Sequence, residues 1–470
     1  MDNRASEGVT ARSSVTEITH VPTSNSTPAT FQLQDNEWEK KQDIESKNKE
    51  DLTLPSAQKE FSSLRKEVIL AVVASVGFLG PLSSTIYIPA VLDVEKGLNT
   101  TISLVNLTIS MYILFLGAGP LVWAPLSEMI GRRYVYISST IIYTGASVGC
   151  ALAPSYGLFL FLRIIQAIGS SASQVIGAGV IADIFSIHDR GKRMGIFFLG
   201  PLLGPVVGPI IGGVINQHLG WRWLFWILTI IGGVFILAII LFLPETLANP
   251  RRLSLFNPLS PLYYFKYPAV SLAATYPAIC FGFMYFLITI LPETMTAKYG
   301  WNSTQVGLSF LAGGIGNVVG TLSGGRLADW ARKRGIQHRG GEAAPEDRLH
   351  AVWFGAPLVP IGFLIYGWCL QADTHFMGPL IGYFIQGIGL MIGFTVVNTY
   401  FVDVFAKRAA SVVGGAAFYR CVLATVTPLF AVDMDNALGD GLTYTILAII
   451  CAVFTLCIVA VVLRGHRWRP

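Results

Sequence analysis

Apolar residues in this chain fall into runs of roughly twenty, each closed by a charge, a proline or a turn residue. A helix rises about 1.5 Å per residue, so about 20 residues cross the apolar layer of a bilayer. The pattern predicts six such helices over 68–92, 102–125, 134–153, 157–184, 194–216 and 223–243. A further six are predicted over 271–291, 304–327, 350–371, 376–401, 409–431 and 441–463. Residues 1–67 are rich in Ser, Thr, Asn, Glu and Lys, with no cleavable leader pattern, and read as a disordered cytosolic tail. A polar, proline-bearing connector over 244–270 separates the two sets, and 464–470 form a short basic tail. The predicted fold class is an all-α membrane protein, with twelve transmembrane helices in two pseudo-symmetric six-helix halves, 68–243 and 271–463.

Composition supports this reading. Of 470 residues, 53% are hydrophobic and 13% charged, a balance that one water-soluble core could not absorb. The net charge of +5 does not point to nucleic acid, because Lys and Arg sit in short clusters between apolar runs. Those clusters fall on alternate loops: Arg132 and Arg133, Arg190, Lys192 and Arg193, Arg251 and Arg252, Arg332 to Arg334, Lys407 and Arg408. The intervening loops carry only Lys96, Arg222 and Lys298. Cytoplasmic loops retain positive charge, so both termini are expected in the cytosol. The sequons at Asn99 and Asn302 then face outward as glycosylation candidates. All six cysteines lie inside apolar runs without metal-ligand spacing, so no metal and no cofactor is expected.

The two sets repeat one another. Gln166-Ala-Ile-Gly169 leads to Asp183-Ile-Phe185, and Gln386-Gly-Ile-Gly389 leads to Asp403-Val-Phe405, both within the fourth run of their half. Such correspondence is expected of two halves related by an axis along the membrane normal.

Three motifs carry a more specific message. The loop after the second run reads Ala124-Pro-Leu-Ser-Glu128-Met-Ile-Gly131-Arg132-Arg133, with a partial copy, Gly325-Arg-Leu-Ala-Asp329, after the eighth. The fourth run begins Arg163-Ile-Ile-Gln166-Ala-Ile-Gly169. The fifth holds Gly200-Pro201-Leu-Leu-Gly204-Pro205-Val-Val-Gly208-Pro209-Ile-Ile-Gly212-Gly213. Together they resemble the loop, fourth-helix and antiporter signatures of the major facilitator superfamily. Leu82-Ser-Ser-Thr-Ile-Tyr-Ile-Pro89 and Pro244-Glu245-Thr246 extend the likeness to fungal twelve-span drug:proton antiporters of the quinidine-resistance type. Two loop positions depart from the family pattern, Ala124 for Gly and Glu128 for Asp. The resemblance implies proton-driven efflux of a small molecule at the cell membrane by alternating access.

Physically, an acid beside cations at a helix end can be a pair made in one state and broken in another, so Glu128, Gly131, Arg132, Arg133 and Asp329 are the expected gate. A charge inside the apolar slab needs a wet cavity or a partner, so Arg163 and Arg420 are expected to face a central cavity with Gln166 and Gln386. A stripe of Gly at every fourth position allows close helix contact, while Gly-Pro repeats favour bending. Proton coupling needs a titrating group, and Glu293 near the end of the seventh run is the candidate. Two cavity arginines favour an organic anion or neutral amphiphile over a polycation. The functional unit is taken as a monomer in the lipid bilayer. An uncoupled facilitator or importer and a membrane-embedded enzyme stand as alternatives. No P-loop or nucleophile motif supports the enzyme.

Overall fold

The computed structural model describes residues 61–185, 187–247, 260–340, 344–405 and 409–468. Residues 1–60 of the expected tail, 248–259 of the connector, and the loop cations Arg251, Arg252, Lys407 and Arg408 lie outside the described residues.

All regular structure among the described residues is helical. The first half comprises α1 (Ser63–Gly77), α2 (Leu79–Thr85), α3 (Val91–Gly97), α4 (Ile102–Ile130), α5 (Arg132–Leu152), α6 (Tyr156–Ile184), α7 (Ile187–Leu219) and α8 (Trp221–Phe242). The second comprises α9 (Pro268–Tyr299), α10 (Ser303–His338), α11 (Val352–Gly355), α12 (Leu358–Gln371), α13 (Met377–Val404), α14 (Ala409–Val426), α15 (Ala431–Leu438) and α16 (Asp440–Trp468). Eleven stretches of the described residues are long and apolar enough to cross a membrane. The 33-residue α7, with Pro201, Pro205 and Pro209 inside it, takes the place of the fifth expected span.

Three expected spans are not single rods. The first is split into α1, α2, a short 3-10 turn over Ile88–Ala90 and α3. Pro81 and Pro89 supply no backbone N–H, and Ser84 and Thr85 donate their hydroxyls to the Pro81 carbonyl at 2.7 and 3.1 Å. The ninth begins as a 3-10 turn over Pro345–Ala351, and the eleventh ends in one over Thr427–Leu429, at Pro428. At the carboxyl end α16 runs on to Trp468, so most of the expected tail at 464–470 is helix.

Hydropathy and burial divide the helices into inner and peripheral ones. The most apolar spans, α8 and α16, are only 28% and 33% buried. The less apolar Ser63–Gly97 and Pro268–Tyr299 stretches are 72% and 83% buried. Helices that show most of their surface to lipid must be apolar all round, whereas those at the centre can carry polar faces. Exposed Ile230, Val234 and Leu237 on α8, and Ile449, Val453 and Leu456 on α16, are the lipid-facing surface this implies.

Within the first half α4, α5 and α8 pack on α6 or each other, and α2 lies along α7; within the second, α10 and α12 pack on α13, and α9 on α14 and α16. The halves meet through α7 with α10 and α4 with α14. Asn216 donates to Ser303 Oγ at 2.9 Å, and Thr425 donates to the Ser110 carbonyl at 3.3 Å. These contacts close the seam between the halves at the end of the bundle away from Ser63 and Trp468.

Candidate functional site

Arg420 stands near the middle of α14, with its guanidinium carbon 4.0 Å from the Phe281 ring centroid on α9 and 4.9 Å from that of Phe394 on α13. Tyr285, one turn along α9, has its ring 5.1 Å from Phe281 and lies within electrostatic reach of Arg420. No hydrogen bond or ion pair to Arg420 is formed among the described residues, and its buried Nε has no partner. Two aromatic faces therefore hold a cation whose planar fork of donors is unspent. Each face contributes on the order of 1 kcal/mol or more when desolvated, which only partly offsets the cost of the charge. Such a fork matches a carboxylate bidentately.

Arg163 is placed differently from the expectation. It is 0% exposed, at the core of the first half rather than on a cavity wall. One amino group donates to the Ser83 carbonyl at 3.1 Å and to Gln166 Oε1 at 2.7 Å. The guanidinium lies 4.3 and 4.2 Å from the Tyr87 and Tyr112 rings. Gln166 completes the chain by donating to Ser147 Oγ at 2.7 Å. The expected meeting of Arg420 with an Arg163–Gln166 stripe is thus not formed. Aromatic residues from α4 and the α2–α3 connection, distant in sequence, enclose the arginine.

Gln386, the counterpart of Gln166, is equally buried, yet neither of its amide atoms has a partner. Tyr383 stands three residues before it, where the first half has Arg163. A buried amide without partners costs its desolvation, about 1–3 kcal/mol. Gln386→Leu is therefore expected to leave the melting temperature of the purified protein unchanged or raised. Gln166→Leu, which orphans Arg163 and Ser147, is expected to lower it by several degrees. Equal losses in both variants, read by thermal unfolding in detergent, would show that Gln386 is satisfied after all.

In the loop expected to act as a gate, Arg132 and Arg133 meet Asp183 and Glu245, and Asp329 takes part in the corresponding cluster of the second half. Arg132 Nε pairs with Asp183 Oδ2 at 3.3 Å, and its NH1 donates to Ser127 Oγ at 2.7 Å. Glu245 accepts from the backbone N–H of Arg132 at 3.0 Å and of Arg133 at 3.1 Å, and so caps the positive end of α5. Arg133 also donates to the Ile240 carbonyl at 2.7 Å. Gly131 adopts φ +117°, and a methyl there would lie 2.5 Å from Glu245 Oε2, so only glycine allows the cap. The second half repeats the device: Arg348 joins Asp329 Oδ1 at 2.9 Å and Asp403 Oδ2 at 2.7 Å. Asp183 and Asp403, known from the sequence as repeat markers, are the acids that these arginines hold. Each cluster ties helices of its own half, not one half to the other.

The Gly-Pro stripe divides between two neighbours. A methyl on Gly200 would lie 2.5 Å from the Ala74 carbonyl, on Gly204 2.7 Å from Pro81 Cβ, and on Gly208 2.5 Å from Thr85 Oγ1. Gly212 abuts the Ile86 carbonyl, so this face lies directly on the broken first helix. Gly213 instead faces the Ser303 carbonyl, and the Pro209 carbonyl faces Gly307, both on α10 of the other half. Pro201 and Pro205 lie along the same helix.

At the end away from the termini, Glu293 is half-buried, with Glu95 of α3 and Asp435 of α15 within electrostatic reach. Asn99 is exposed with φ 47°, and Asn302 caps α10 by accepting from the Gln305 N–H at 3.0 Å. No cluster of metal-binding residues is found among the described residues, and Cys280 and Cys451 meet at 3.8 Å as buried thiols.

Comparison with known proteins accords with this architecture. The family model described as Major Facilitator Superfamily matches residues 73–428. The MFS-type transporter penM of Penicillium rubens is 33% identical over 445 residues, covering 88% of this chain and 87% of its own. The MFS-type transporter atr4 of Stereocaulon alpinum is 34% identical, covering 84% of this chain and 77% of its own. Among solved structures, the D-xylose-proton symporter aligns with a TM-score of 0.66 at 16% identity, over 86% of this chain and 98% of its own. A bacterial homologue of the human lysosomal transporter Spinster, in an inward-facing unoccupied conformation, aligns at 0.63 and 14%, over 87% and 98%. These proteins are transporters, not enzymes, and at such identities the two structures speak for the fold alone. With a family match over most of its length and relatives above 30% identity, the chain belongs to the major facilitator superfamily of membrane transporters.

Proposed function

We propose that this chain is a twelve-span secondary transporter that exports a small organic acid, secondary metabolite or drug in exchange for protons. The observation that carries the reading is the unpaired guanidinium of Arg420 between Phe281 and Phe394. A flat anion or an amphiphile with an acceptor fits that platform, and a polycation does not. The Gly-Pro stripe of α7 supports export by its resemblance to the antiporter signature. Lys and Arg on alternate loops place Ser63 and Trp468 on the cytosolic side of the cell membrane, with Asn99 and Asn302 outside as glycosylation sites. On that orientation the closed seam is the outer one. The arginine clusters of Arg132 and Arg348 are then cytosolic locks that keep each half rigid as the halves rock about the site. The unit that works is a monomer.

The test is transport by the purified protein in sealed vesicles, against a panel of anionic, neutral and cationic compounds. Accumulation of anionic or neutral members is expected, at least tenfold reduced when a protonophore collapses the pH gradient. Movement indifferent to the protonophore would leave an uncoupled facilitator. No movement of any compound would remove the reading.

A further inference from the structure

The outer end of the second half holds a set of ionisable groups that the substrate site does not use. Lys298 on α9 pairs with Asp440 Oδ2 at 2.8 Å and Asp373 Oδ1 at 3.2 Å, and donates to the Leu370 carbonyl at 2.6 Å. Asp440 is 8% exposed, and its second oxygen has no partner. Two wholly buried phenols, Tyr366 and Tyr444, have their rings 4.8 Å apart. Both lie within electrostatic reach of Asp435 and Asp440, and both hydroxyls are unpartnered. Asp435 on α15 also has a buried, unpartnered oxygen. The charged groups that face it are Asp440, Glu293 and Lys298. Asp435 thus faces two other carboxylates and one ammonium, and that ammonium is already engaged by Asp440 and Asp373.

The crowding crosses the seam between the halves. Glu293 belongs to the second half and Glu95 to the first, and closure of the outer end brings the two within reach. Ionised together, they repel and oppose closure; with a proton on the group, the repulsion is relieved. Burial, then Asp440 and Glu293, pushes the Asp435 carboxyl up to about 6, so it gains its proton over the range of a mildly acidic exterior.

We propose that Asp435 and Glu293 form the outer proton-loading site, and that a proton bound there permits the outer end to close against Glu95. The proposal rests on the proton-coupled reading above. A hydronium ion in the outer medium gives its proton to the Asp435 carboxylate and leaves water. Passage of that proton to Glu293 restores the Asp435 carboxylate and removes the charge that faces Glu95. The site therefore couples proton entry to the conformational step without touching the transported molecule.

The experiment uses the full chain with its native cysteines replaced and spin labels at exposed Thr101 and Leu438, one on each half at the outer end. With no substrate present, the label separation is measured from pH 5 to pH 8. The wild-type protein is expected to pass from a short to a long distance as pH rises, with a midpoint near 6. Glu293→Gln is expected to stay closed across the range, Asp435→Asn to move the midpoint away from 6, and Asp435→Glu to keep a transition at a shifted midpoint. Asp433→Asn, on the exposed side of the same short helix, should behave as wild type. A wild-type distance that ignores pH would overturn the proposal, as would an unchanged midpoint in Asp435→Asn or loss of the transition in Asp433→Asn. If Asp435→Asn fails to fold, Asp435→Glu decides, since an unmoved midpoint there is equally fatal. Because no substrate enters, this outcome is independent of the vesicle transport test.

Discussion

Gly212→Leu is expected to abolish accumulation of folded protein, whereas Gly213→Leu, one residue on, is expected to leave a folded protein that no longer transports. The difference follows from what each glycine touches. Gly212 lies against the Ile86 carbonyl within the first half, where backbone meets backbone and neither partner can yield. Adding side-chain atoms there forces apart α7 and the first helix along the whole Gly200–Gly212 face. Overpacking costs about 1–3 kcal/mol where side chains can adjust, and more against a main chain. Gly213 lies against the Ser303 carbonyl of the other half, on a seam that must open in each cycle if access alternates. Leucine there props the outer seam open, a state the halves would visit in alternating access, so the fold is expected to survive. Size-exclusion profile and melting temperature report the first effect, and vesicle transport with the Thr101–Leu438 label distance reports the second. A monodisperse, active Gly212→Leu protein would remove the packing argument. A Gly213→Leu protein with normal transport would remove the seam.

Helix positions were legible because lipid leaves a backbone only internal hydrogen bonds, so each crossing must be a long apolar run. The alternation of basic loops and the repeated Gln-to-Asp interval carried the two-half organisation. Helix breaks were less legible. Pro89 and Pro428 end helices, yet Pro120 and Pro125 lie inside an unbroken α4. Proline alone therefore does not fix where a helix ends.

Side-chain partners drawn from distant segments were not legible at all. The acid that caps Arg132 and Arg133 is Glu245, which the sequence presented only as part of a terminal Pro-Glu-Thr. No motif in the sequence set Arg348 apart, although it binds two aspartates. Arg163 and Arg420 looked alike as charges within apolar runs. In the structure one bonds Ser83 and Gln166 through a single amino group and lies on two tyrosine rings, its other two nitrogens unpartnered, and the other makes no hydrogen bond among the described residues. Hydropathy records the cost of placing a charge but not what compensates it.

That contrast gives the second large effect. Arg420→Gln is expected to reduce transport of anionic compounds by at least tenfold while neutral ones fall less than threefold. An arginine at a span centre costs roughly 2.5–3.5 kcal/mol on insertion scales, and Phe281 and Phe394 return only part of it. Because no carboxylate among the described residues neutralises the group, the remaining attraction is available to an anion entering from solution. Glutamine keeps a donor and most of the volume but removes the charge, so the aromatic platform persists for neutral ligands while bidentate pairing with a carboxylate is lost. The variant should also melt no lower than wild type, since a half-buried cation without a partner contributes little to the fold. Arg163→Gln provides the opposite case: it breaks the bonds to Ser83 and Gln166 and should lower stability and all transport together. Measured across the same panel, a uniform loss in Arg420→Gln matching that of Arg163→Gln would assign Arg420 to packing, and anion selectivity would need another residue.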